Sequence, residues 1–136
     1  MRMASTEKPI RVWKPRVLVV EDEFLIADML QMMLEELGCE VVGPVATVTE
    51  AIAATQTLEI DAAIVDLVLK GERADAVAEA LKVRGVPFGF ATGMPADGAK
   101  GSWKNHPFLI PKPYSKELLA GLLSSMLPEQ PHARDF

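Results

Sequence analysis

Short β-branched apolar runs alternate with amphipathic stretches along this chain, and the alternation fixes most of what it can fold into. The runs are "RVLVV" (Arg16 to Val20), "CEVVGPVA" (Cys39 to Ala46), "DAAIVD" (Asp61 to Asp66), "VPFGFAT" (Val86 to Thr92) and "PFLIP" (Pro107 to Pro111). The first is a short β-branched apolar run that ends in acids, as expected of a buried parallel strand. The second run is interrupted near Gly43-Pro44. Between the runs the period changes. Ile26, Met29, Leu30, Met33 and Leu37 fall at helical spacing, and Gly38 follows as a C-terminal cap. Thr47 and Glu50 form a capping-box pattern that opens a helix through about Thr57. "GERADAVAEALKVRG" (Gly71 to Gly85) reads as a third helix with Val77, Ala80 and Leu81 inward. Ser115 opens a last helix carrying Leu118, Leu119, Leu122, Leu123 and Met126. The segment Gly93 to His106 is Gly-rich, contains Pro95 and has few apolar residues, so a fourth helix there is short or labile. Five strand-then-helix units predict an α/β fold, a doubly wound five-stranded parallel sheet covered on both faces with right-handed crossovers.

The chain has 136 residues, about half of them apolar, which suits one domain with one real core. Residues 1–14 read as an N-terminal arm, 15–127 as the domain, and 128–136 as a Pro-rich, charged C-terminal tail expected to be disordered. The net charge of -5 and the scattered basic residues argue against nucleic-acid binding. No apolar run is long enough to span a membrane, and the N-terminus lacks a signal peptide's apolar core. The single cysteine, Cys39, permits no internal disulfide, and a cytoplasmic setting is expected. His106 and His132 are far apart and lack metal-ligand spacing.

In a fold of this kind, ligands sit at the carboxyl ends of the strands. The first strand ends at Glu21-Asp22, the third at Asp66, the fourth at Thr92 and the fifth at Lys112-Pro113. Three carboxylates, a hydroxyl and an ammonium therefore meet at one edge. Clustered carboxylates repel one another unless a cation joins them, and a hard divalent ion such as Mg²⁺ matches oxygen ligands. A carboxylate can attack phosphorus to form an acyl phosphate, while a hydroxyl and an ammonium donate to phosphoryl oxygens. Each residue also has an ordinary reading. Glu21 and Asp22 precede a helix, where acids are favoured. Asp66 fits a turn, Thr92 a loop and Lys112 a solvated surface. The matching order of four strand ends favours the shared site.

With these residues in place, the chain resembles a response-regulator receiver domain over Pro15 to Leu127. The resemblance is carried by "VLVVEDE", "AAIVDLVLKGE", "FATG" and "KPYS". It implies a flavodoxin-like (βα)5 fold and Asp66 as phosphoacceptor. It implies Mg²⁺ held by Asp22, Asp66 and the backbone carbonyl of Val68, with Glu21 helping mainly through water. It further implies Thr92 and Lys112 as phosphoryl contacts and a cis bond between Lys112 and Pro113. "RGVPFGFATG" followed by "PKPYS" is similar to the FAT GUY subgroup of single-domain receivers, with Phe90, Ala91, Thr92, Gly93 and Met94 in matching places. Pro95 departs from the tyrosine usual next in that subgroup. Many receivers also carry an aromatic switch three residues before the lysine. Here that position holds Leu109, so the switch is expected to run through Gly93, Met94 and the segment that follows.

The resemblance implies a stand-alone phosphorelay module. It takes a phosphoryl group from a sensor histidine kinase or histidine phosphotransfer protein and acts on an effector protein in trans. Beyond its own Mg²⁺-dependent phosphorylation and dephosphorylation, no enzyme activity is expected. An aspartyl phosphatase would need a second acid two residues after its nucleophile, and Val68 occupies that place. A pseudo-receiver that binds partners without phosphorylation would not need the full set of acids, threonine and lysine.

Overall fold

The structure, a computed structural model, describes residues 13–92, 109–112 and 114–128, with Thr92, Leu109 and Pro111 described by their backbone alone. Five strands form one parallel sheet: β1 (Arg16–Val20), β2 (Glu40–Val45), β3 (Ala62–Asp66), β6 (Phe88–Thr92) and β7 (Leu109–Pro111), in the order β2-β1-β3-β6-β7. A two-residue pair, β4 (Val68–Leu69) and β5 (Glu72–Arg73), makes a separate antiparallel hairpin. The helices are α1 (Phe24–Glu36), α2 (Val48–Thr57), α3 (Asp75–Val83) and α4 (Lys116–Met126). The fourth helix expected within 93–106, the 1–12 part of the arm and the tail beyond Pro128 lie outside the described residues.

Alternation along the strands sorts the core into two halves. Leu18, Val20, Ala63, Val65, Phe88 and Phe90 face α2 and α3, where Ala51, Val77, Ala78 and Leu81 are buried. The Phe88 and Phe90 rings meet edge to face at 5.5 Å. Val17, Val19, Ala62, Ile64, Ala91 and Ile110 face α1 and α4, packed by Leu30, Leu34, Leu119, Leu122 and Met126. Every β3 residue is buried, which is why that strand reads as an unbroken apolar run closed by one acid.

Four local readings change. Met29 is exposed, and α1 buries Ala27, Leu30 and Leu34, with Ile26, Met33 and Leu37 at the edge of the contact. Apolar residues also occupy Phe24, Leu25 and Met32, so the helix carries two adjacent apolar stripes and periodicity alone does not choose between them. In α3, Ala78 is fully buried and Ala80 only half-buried. That helix starts at Asp75 rather than Gly71, because Gly71 belongs to the hairpin turn. Leu118 points outward on α4. The capping expectations hold: the Thr47 hydroxyl accepts from the Glu50 N–H, and the Ser115 hydroxyl accepts from the Leu118 N–H.

The interruption in β2 shapes the site. Gly43 has φ +95°, the Gly43–Pro44 bond is cis, and the β1–β2 register shifts between Leu18 and Val20. Beyond the shift, the Val45 carbonyl accepts the Glu21 N–H at 2.9 Å and anchors the chain where β1 gives way to the acidic pair. A Cβ on Gly43 would stand 2.8 Å from Val45 N and 3.1 Å from Val19 O, both backbone atoms. Gly43→Ala combines that clash with a left-handed backbone and is expected to destabilise the fold by about 2 kcal/mol, measured by urea unfolding; a loss indistinguishable from zero would show that the irregularity adapts freely.

Candidate functional site

The carboxyl ends of β1 and β3 are adjacent because the sheet reverses its winding direction between these two strands, and this is where open α/β sheets form their crevice. Glu21 and Asp22 follow β1, and Asp66 closes β3. One carboxylate oxygen from each lies within 4.8 Å of the others, with Glu21 and Asp66 buried and Asp22 half-buried. Lys112, just after β7, reaches across: its Nζ lies 2.9 Å from Asp66 Oδ2, 2.9 Å from Glu21 Oε1 and 3.9 Å from Glu23 Oε1. The contact to Asp66 is a hydrogen bond. The contact to Glu21 Oε1 is a second buried ion pair.

Backbone donors hold the other oxygens. Glu23 N–H donates to Glu21 Oε2 at 3.1 Å, Lys70 N–H to Asp22 Oδ2 at 3.0 Å, and Val68 N–H to Asp66 Oδ1 at 3.3 Å. Loop geometry after Asp66 is fixed by Leu67, which donates to the Ala91 carbonyl and accepts from the Ala74 N–H. Burial pushes the Glu21 carboxyl up from 4.5 to about 7, with the Asp66 charge adding to the rise and Lys112 and the Glu23 N–H opposing it. Burial alone would lower the Lys112 ammonium, but its contacts with Glu21 and Asp66 prevail and raise it, so it stays charged. Tyr114 is buried and its phenol is pushed up, by burial first and then by the Glu21 and Asp66 charges.

The structure thus brings Glu21, Asp22, Asp66 and Lys112 together. Val68 takes part through its N–H on Asp66. Thr92 ends β6 at the same sheet edge, its backbone paired with Pro111 of β7, where Leu109 also lies. Gly93, Met94 and the Lys112–Pro113 bond lie outside the described residues. Three groups were not anticipated: Glu23, the Lys70 backbone N–H and Tyr114. Tyr114, two residues after Lys112, had a signal in sequence; a backbone donor has none.

With all three acids ionised, three carboxylates against one ammonium leave two formal negative charges in excess. All the available ligand atoms are carboxylate oxygens. This set fits a hard divalent cation. Beside it, a cleft of about 240 Å³ is lined by Glu21, Asp22, Phe24, Asp28 and Pro44, among others. Among the described residues, no helix is long and apolar enough to cross a membrane.

No family model matches the chain. Individual proteins do. The solution structure of SdrG from Sphingomonas melonis Fr1 superposes with a TM-score of 0.74 at 40% identity, covering 83% of this chain and 96% of that one. SdrG in its BeF3-activated conformation gives 0.71 at 41% identity over the same shares. The crystal structure of the response regulator PhyR from Brucella abortus gives 0.73 at 33% identity, covering 86% of this chain and 49% of that one. The phyllosphere-induced regulator PhyR of Methylorubrum extorquens is 34% identical over 121 residues, 87% of this chain and 45% of its own length. The chain therefore spans about half the length of the PhyR proteins it matches. It belongs to the response-regulator receiver (CheY-like) domains. Both PhyR relatives are regulators.

Proposed function

We propose that residues 15–127 form the receiver of a two-component phosphorelay, accepting a phosphoryl group on Asp66 and signalling through a partner protein in trans. The observation that carries this reading is the Lys112 ammonium held at 2.9 Å from Asp66 Oδ2 beside a carboxylate cluster with excess negative charge. The donor is a phosphohistidine on a sensor kinase or phosphotransfer protein in the cytoplasm. An Asp66 oxygen attacks phosphorus in line, the P–N bond breaks as the O–P bond forms, and the imidazole leaves with the bonding pair. Lys112 turns from the carboxylate to a phosphoryl oxygen, replacing one charge-assisted hydrogen bond with another. Thr92, at the end of the neighbouring strand, supplies a hydroxyl to a second phosphoryl oxygen. Glu21, Asp22, Asp66 and the Val68 carbonyl would hold Mg²⁺, which supplies charge neutralisation on the transferring group when bound. Output leaves through Gly93, Met94 and the chain leading to Leu109.

Incubation with acetyl phosphate and Mg²⁺ should add one phosphoryl group by intact mass, and EDTA should prevent it. Absence of any adduct in Mg²⁺ would refute the reading, and steady turnover of an external phosphoester would replace it with a phosphatase.

The metal part has its own test. At ten times its dissociation constant, a ligand that binds only the folded state stabilises it by about 1.4 kcal/mol, a rise in Tm of roughly 5 °C for a domain of this size. Mg²⁺ should produce that rise in wild type and not in Asp22→Ala, as followed by thermal melting. Equal shifts in the two proteins would place the cation elsewhere.

A further inference from the structure

The hairpin after Asp66 is built in an unusual way. Its two loop residues, Lys70 and Gly71, have φ of +50° and +82°, and the flanking pairs are Leu69 with Glu72 and Val68 with Arg73. Two successive positive φ values make a type I′ turn, which favours Asn or Gly at its first position. Lysine at that position is held against its preference, so something outside the turn must hold it. The Lys70 N–H at the tip donates to Asp22 Oδ2, the Val68 N–H at the base donates to Asp66 Oδ1, and Leu69 is buried in the core between them. The turn itself therefore holds the Asp22 carboxylate, which follows β1, while the base of the same hairpin holds the Asp66 carboxylate at the end of β3.

We propose that the Lys70–Gly71 turn is a positioning element for the cation site, fixing the Asp22 carboxylate through the Lys70 N–H so that cation binding and hairpin order reinforce each other. The inference rests on the metal reading above. A carboxylate on a half-buried side chain otherwise samples several orientations, and any of them that must be given up on binding weakens the ion's affinity. A turn that removes those orientations beforehand strengthens it. The coupling is reciprocal: if an ordered turn favours the cation, the cation favours the ordered turn by the same factor. The Lys70 ammonium plays no part, because the contact is made by the backbone.

Gly71 offers a clean test, since a Cβ added there meets nothing within 4 Å. A substitution changes backbone preference at φ +82° without a clash. Valine resists that conformation, while asparagine accepts it. Mg²⁺ titration followed by amide NMR should show about tenfold weaker binding for Gly71→Val and a constant within about twofold of wild type for Gly71→Asn. Melting in EDTA confirms that each variant is folded. In wild type, the Lys70 amide should exchange more slowly with Mg²⁺ than without it, a readout that needs no variant to fold. Equal Mg²⁺ affinity in folded Gly71→Val and wild type would overturn the proposal, as would a Lys70 amide whose exchange ignores Mg²⁺ in a protein that binds it. A wild type that does not respond to Mg²⁺ anywhere would instead overturn the metal reading itself, and the proposal with it.

Discussion

Asp66→Asn is expected to gain no phosphoryl group from acetyl phosphate and Mg²⁺ under conditions where the wild type gains one. The substitution keeps the shape of the side chain and an oxygen able to accept from Lys112 and from the Val68 N–H, both of which contact Asp66. It removes the anionic oxygen that would attack phosphorus, and a neutral amide is a far weaker nucleophile. The loss should be complete rather than partial, because the phosphoryl group is proposed on Asp66 alone, where the Lys112 ammonium lies 2.9 Å from Oδ2 to receive a phosphoryl oxygen. The fold should survive. Removing one charge from three clustered acids relieves repulsion, so the metal-free variant should melt no lower than the metal-free wild type. Intact mass and a melt in EDTA decide both points. A phosphoryl group retained by Asp66→Asn would move the acceptor to another residue, and a collapsed melt would make the loss uninformative about chemistry.

Much of the fold was legible in the sequence because buried parallel strands leave a mark that little else imitates. Arg16–Val20 has the expected bounds, and β3 starts one residue later than expected, at Ala62. Helix ends were legible where a side chain caps them, as at Thr47 and Ser115. What could not be read was the choice between alternatives of similar apolar content. Met29 and Leu34 are both suited to the core, and only the sheet decides that Leu34 is buried and Met29 exposed. The hairpin escaped for a related reason. Gly71 has none of the Asn-Gly or Asp-Gly signal that marks a two-residue turn, and Lys70 is a good helix former, so the stretch passes for the start of α3.

The site was legible in its members and not in its wiring. Parallel strands deliver their carboxyl ends to one edge whatever the loops do, so Glu21, Asp22, Asp66 and Lys112 could be placed together from strand ends alone. That Lys112 divides itself between Asp66 and Glu21 depends on how far β7 lies from β1, which no residue encodes by itself. The bonds from the Lys70, Val68 and Glu23 backbone are invisible in sequence because any residue but proline could make them.

That shared ammonium makes Lys112→Ala the substitution with the largest expected effect on stability. Its Nζ contacts two carboxylates whose side chains are only 1% and 9% exposed. Removing one partner from a buried ion pair costs about 3 kcal/mol or more, because the remaining charge keeps its desolvation penalty and loses its compensation. The cost should depend on pH, in a direction the Glu21 carboxyl sets. Its value in the fold is raised from 4.5 to about 7, so the folded protein binds a proton that the unfolded chain has released. Stability from this group is therefore full below about pH 4.5 and is lost as pH rises through about 7. Without Lys112 that carboxyl rises further, and the loss extends to higher pH. Urea unfolding in EDTA should thus show Lys112→Ala less stable than wild type by about 3 kcal/mol at pH 8, with a smaller gap at pH 5.5, where Glu21 is protonated in both proteins. Mg²⁺ should recover part of the deficit at pH 8, since a cation can take over the compensation that the ammonium provided. A deficit independent of pH and of Mg²⁺ would mean that the lysine acts through the packing of its aliphatic stem and not through its charge.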